Sequence, residues 1–131
     1  MKHFSIHSSS TAPTKSAPGL FLLKQELGFI PNIYGLVAES PTALSALMQL
    51  NDSYSLCSFD HTESELIQIA ISAENGCGYC VAGHSAFAEK LEIDESTIEA
   101  LRNNKVIANS KLQALNKDEL EIIAKAKREL K

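Results

Sequence analysis

Tryptophan is absent from this chain, and aromatic residues make up only 6% of its 131 residues. A core built on stacked rings is therefore excluded, and an interior drawn from 44% apolar residues must be mostly Ile, Leu, Val and Ala, which suits packed helices. Long apolar runs are missing too: no stretch approaches the roughly 18 residues of a membrane span. The opening MKHFSIHSSSTAPTKSAP lacks the apolar region of a secretory signal, so the expected location is the cytoplasm. Clustered positive charge is the third absence. The formal charge is −4, and the one local basic group, Lys125, Lys127 and Arg128, alternates with Glu121 and Glu129. No nucleic-acid partner is expected, because phosphate binding needs Lys and Arg gathered on one surface. Cysteine is scarce as well. Three cysteines do not make an extracellular disulfide framework, and two of them only three apart, in a reducing compartment, point to catalysis or metal binding.

At this length one domain is expected. Residues 1–17 form a lead-in, rich in Ser, Thr and Pro, that reads as flexible or loosely docked, and residues 18–131 form the folded part. Leu20, Leu23, Leu27 and Ile30 recur at helical spacing until Pro31; NIYGLVAES is a short second helix. Ser40 caps a third with Pro41 in its first turn, where a missing N–H costs nothing. A fourth, DHTESELIQIAISAENG, is apolar around most of its circumference and reads as the central helix. The fifth runs from about Cys77 to Leu91, the sixth follows an Asp94 cap through Ile98 and Leu101, and Leu112 to Leu130 holds one or two more. No run alternates as a strand does. The expected class is all-α, a bundle of about six to seven helices.

The segment ENGCGYCVAGH, residues 74–84, carries the chemistry. Cys77, Cys80 and His84 sit at i, i+3 and i+7, and the same stripe continues through Phe87, Ala88 and Leu91, so all are expected on the core side of one helix. The first turn places both thiols near the positive end of the helix dipole, which favours thiolate, the reactive form. His84, one turn after Cys80, can accept the thiol proton and return it to a departing oxygen. Covalent haem attachment would need His where Val81 stands, and a closed zinc site normally needs four ligands where three are local; no metal and no cofactor is expected. A thioredoxin fold would place a strand before the pair, and a helix stands there. The plain structural alternative is that both cysteines are small core fillers and His84 a buried, hydrogen-bonded histidine.

These residues resemble the carboxymuconolactone decarboxylase superfamily, and within it the alkylhydroperoxidase D-like (AhpD-like) peroxidase-related branch. The resemblance covers about residues 19–115. ESELIQIAISAENGCGYCVAGHSA is similar to the family's Glu, twelve residues, then C-x-x-C-x-x-x-H, and LGFIPNIYGLVAESPTAL is similar to the branch's upstream helices. The resemblance implies a relay from Glu65, through a water, and His84 to the cysteine pair. It also implies that Cys80 attacks the peroxide and becomes a sulfenic acid, while Cys77 resolves it into a disulfide. Glu65 could instead close a capping box with Thr62. The competing frame, with Asp60 as cap and Glu63 reciprocating, leaves Glu65 one turn inside and free to face the cysteine helix; Asp is slightly the better cap, and this frame is preferred. Tyr79 stands where some peroxidase members carry a second histidine. Glu74 reads as a solvated or oligomer-facing residue, Cys57 as core, and His3, His7 and His61 as surface residues.

The expected function is a thiol-dependent peroxidase that reduces hydroperoxides through Cys77 and Cys80, its disulfide recycled by a thiol reductant of thioredoxin or lipoyl type. Other readings are a non-enzymatic disulfide switch, a lactone decarboxylase, against which the intact C-x-x-C counts, and a helical oligomerisation module. Wide apolar arcs on a short chain, and the resemblance, imply a homo-oligomer: a hexamer built from trimers, or a trimer.

Overall fold

A computed structural model gives the structure of residues 4–105 and of single positions from 107 to 129, and every regular element among these described residues is an α-helix. In chain order they are α1 (Ala17–Leu27), α2 (Asn32–Val37), α3 (Pro41–Ser55), α4 (His61–Glu74), α5 (Gly78–Lys90) and α6 (Glu95–Arg102). The sequence reading of all-α holds. Most of the segment from Leu112 to Leu130, where one or two further helices are expected, lies outside the described residues. The helices group into two units, Met1–Cys57 and Ser58–Lys131.

In the first unit, Leu20 and Leu23 of α1 pack with Ala38 and Leu44, flanked by Val37, Tyr34 and Met48. Ser40 caps α3 by accepting the Ala43 amide, and Pro41 opens the helix as its composition dictates. The residues before α1 lie along α2. His7 donates its amide to the Gly35 carbonyl at 3.0 Å, and Ser16, 1% exposed, donates its hydroxyl to the Ala38 carbonyl at 2.7 Å. Gly35 is needed for this approach, since a Cβ there would stand 2.7 Å from the His7 carbonyl oxygen. His7 is consequently not a surface residue: its side chain is 13% exposed and its Nε2 lies 2.7 Å from Glu39 Oε2. His61 is exposed, as expected, and His3 lies outside the described residues.

In the second unit, Leu66, Ile69 and Ala70 of α4 meet Ala88 of α5, Ile98 and Leu101 of α6, and Ile107. Ile69 and Ile98 are fully buried. Asp60 and Glu63 form the capping box of α4: the Asp60 carboxylate accepts the Glu63 amide at 2.8 Å, and Glu63 accepts the Asp60 amide at 3.1 Å. That settles the start of α4 and leaves Glu65 outside the cap. The buried line of α5 runs through Ser85 and Ala88, not through the cysteines. Cys77, Cys80, His84 and Phe87 flank that line, half-buried, and Leu91, beyond the last turn, is 42% exposed. The expected core-side stripe is thus rotated toward solvent, because α5 buries only the edge that meets α4 and α6.

Candidate active site

The approach from α4 to α5 fixes the site. After Asn75, Gly76 takes a left-handed conformation (φ 67°) that a side chain would strain. Its amide donates to Ala73 and the next amide, that of Cys77, donates to Ser72, the paired bonds of a Schellman ending. The residue that closes α4 in this way is also the cap of α5: Cys77 Sγ accepts the Cys80 amide at 3.3 Å. Two helices are thereby joined through one residue, and the pair is held at the start of the second. Cys77 and Cys80 are linked as a disulfide, with their Cα atoms 5.4 Å apart, inside the usual range for such a bond.

Glu65 and His84 come together across the α4–α5 contact. Glu65 Oε2 lies 2.8 Å from His84 Nδ1, with side chains 22% and 31% exposed. The contact is direct. A carboxylate on Nδ1 fixes the imidazole: it accepts that N–H, and Nε2 becomes the nitrogen that takes up and gives back a proton. His84 in turn follows Cys80 by one helical turn.

A feature that spacing did not suggest lies one residue further on. The Ser85 hydroxyl, 1% exposed, accepts from Arg102 Nε at 3.0 Å, and the guanidinium also meets Glu95 at 3.1 Å and Glu89 at 3.4 Å. This ties α6 to α5 beside His84 and fixes the rotation of α5. Nothing in the sequence pattern marks the Ser85–Arg102 pair, whose members are 17 residues apart. Tyr79 is 54% exposed and Glu74 is exposed. Cys57 is a free, half-buried thiol outside both hydrophobic cores. Among the described residues, no group of three or more His, Cys, Asp and Glu could hold a metal ion, and no helix is long and apolar enough to cross a membrane.

Among the described residues, all in helices or their connections, a cysteine pair thus stands at a helix start with a carboxylate and an imidazole in contact one turn on. Residues 38–116 match the carboxymuconolactone decarboxylase family, and the chain belongs to that family. No curated protein matches the chain.

Proposed function

We propose that the protein is a thiol-dependent peroxidase. The observation that carries the reading is the Glu65–His84 contact, made one helical turn after a cysteine pair that closes as a disulfide. His84 Nε2 takes the proton of the Cys80 thiol, and the thiolate attacks the terminal oxygen of a hydroperoxide. The O–O bond breaks, Cys80 becomes a sulfenic acid, and the alkoxide leaves with the proton returned by His84 as an alcohol. Cys77 then attacks the sulfenic sulfur, hydroxide departs, and the disulfide forms. Glu65 holds the imidazole in the tautomer this sequence needs and steadies the imidazolium between the two proton transfers. A dithiol reductant of thioredoxin or lipoyl type returns the pair to thiols.

The half-buried rather than core position of both cysteines supports this, since peroxide and reductant must each reach sulfur. A reducing compartment, the cytoplasm, suits an exchangeable pair. The reading includes a homo-oligomer, a hexamer built from trimers or a trimer. Phe21 (55% exposed), Leu50 (66%) and Leu56 (86%) support association, because large apolar side chains left in water favour burial against another chain.

The test is a stoichiometry. Reduced protein mixed with cumene hydroperoxide, with no reductant present, is expected to lose two thiols per chain and to yield one cumyl alcohol. Loss of thiols only on addition of a disulfide reagent, with no alcohol formed, would reject the peroxidase in favour of a redox switch.

A further inference from the structure

The two sulfurs of the pair are held by different devices. Cys77 occupies the N-cap position of α5, its backbone outside the helical region (φ −85°, ψ 87°), and its Sγ accepts the Cys80 amide. That position normally carries an oxygen of Ser, Thr, Asp or Asn, which satisfies an otherwise orphaned amide. A neutral thiol is a poor acceptor there. A thiolate is a much better one, because the bond becomes charge-assisted and the sulfur sits at the positive end of the helix dipole. The donor is a backbone amide in the first turn of the helix, just after the Schellman turn. Cys80 is served otherwise. Its own amide is the donor in that bond, and the group one turn beyond it is His84, an exchangeable proton carrier locked by Glu65.

We propose that Cys77 is the leaving thiolate of the pair and that the start of α5 is its anion site, so that the disulfide opens preferentially in one direction. The proposal rests on the peroxidase reading for its place in turnover, though the asymmetry itself needs no peroxide. A reductant thiolate attacks Cys80 Sγ and a new S–S bond forms to it. The Cys77–Cys80 bond breaks, and its electron pair leaves on Cys77 Sγ, where the Cys80 amide receives it. The second thiolate of a dithiol reductant then attacks the reductant sulfur of that mixed disulfide, and Cys80 departs, taking a proton from His84. The reductant ends as a disulfide and the pair as one thiol and one thiolate. In the oxidative half, the same capped thiolate stands ready to attack the Cys80 sulfenic acid, with hydroxide released to solvent. A thiolate stabilised in this way is a good leaving group and a weaker nucleophile. Peroxide is therefore left to Cys80, which has a proton carrier beside it.

The experiment uses the oxidised full chain with excess glutathione, quenched by alkylation in acid, and peptide mass spectrometry to locate the adduct. Glutathione on Cys80 with alkylated Cys77 is expected over the reverse by about threefold or more, since the lower-pKa thiol leaves faster. Equal amounts, or glutathione mostly on Cys77, would overturn the proposal. A second measurement follows thiolate absorbance with pH. In the double variant Cys57→Ser/Cys80→Ser, where Cys77 is the one thiol left, that thiol is expected to ionise at least about one pH unit below the ordinary thiol value of about 8.5, and adding Glu65→Gln leaves the midpoint unmoved. A midpoint at or above that ordinary value, or one that follows Glu65, would overturn it. Neither measurement uses peroxide, so a protein inert to cumene hydroperoxide that still shows the asymmetry would sink the peroxidase and leave the leaving-group assignment standing.

Discussion

The described residues include two His–Glu contacts of nearly the same length, one in each unit: His7 with Glu39 at 2.7 Å, and His84 with Glu65 at 2.8 Å. The first joins the lead-in to the end of α2. Its histidine is the more covered, at 13%, but its carboxylate is 53% exposed and no cysteine stands within a helical turn of either residue. The second has both partners partly covered and lies one turn from a cysteine pair at a helix start. Burial of the imidazole does not by itself single out the contact proposed for chemistry. What separates them is the neighbour that can use the proton.

The comparison can be broken at several places. Cys80→Ser has the largest expected effect: on the proposed mechanism it removes the thiol that attacks peroxide, and thiol loss on addition of cumene hydroperoxide is expected to fall to the background rate. A second attack leaves the site alone and removes the other contact. Gly35→Ala would place a Cβ 2.7 Å from the His7 carbonyl oxygen, and the lead-in must shift to admit it. The expected cost is about 1–3 kcal/mol in urea denaturation, with peroxide reactivity within twofold of the parent (about 0.4 kcal/mol). A parallel loss of reactivity would mean that the lead-in serves the site.

Smaller effects sharpen the account of how Glu65 is aimed. Asp60→Ala removes the capping box that sets the start of α4, with an expected loss of about 1 kcal/mol of stability. Asp60→Asn keeps most of it. A cap with no chemical role is the Asp94 carboxyl, held below the usual aspartate range first by the Ser96 hydroxyl and then by the Thr97 amide. A lowered folded-state value means that the unfolded chain takes the proton first. The contribution is present above the ordinary aspartate value of about 3.9 and is lost as pH falls through the lower folded value. Circular dichroism during acid titration is expected to show Asp94→Asn flattening that limb.

Much of this was legible because caps are local. Ser40 with Pro41, Asp60 with Glu63, and Asp94 each act within four residues, so the residue types themselves mark where helices begin. The placement of Glu65 and His84 on facing helices was legible only through the family resemblance, since they are 19 residues apart and nothing local joins them. Helical spacing correctly put Cys77, Cys80 and His84 on one face but misjudged where that face points. Periodicity tells which residues share a stripe; the packing of α4 and α6 decides how far around α5 burial extends. The partners of His7 and Ser85, 32 and 17 residues away, belong to tertiary packing and left no trace in the pattern.

The central claim, that Glu65 and His84 serve the cysteine pair while Glu39 and His7 do not, is tested most directly by the rate of thiol oxidation by cumene hydroperoxide in Glu65→Gln and Glu39→Gln beside the parent. The account expects a slowing of about a hundredfold in Glu65→Gln, the scale of lost acid–base assistance, and no change beyond about twofold in Glu39→Gln. Equal rates in all three proteins would contradict it.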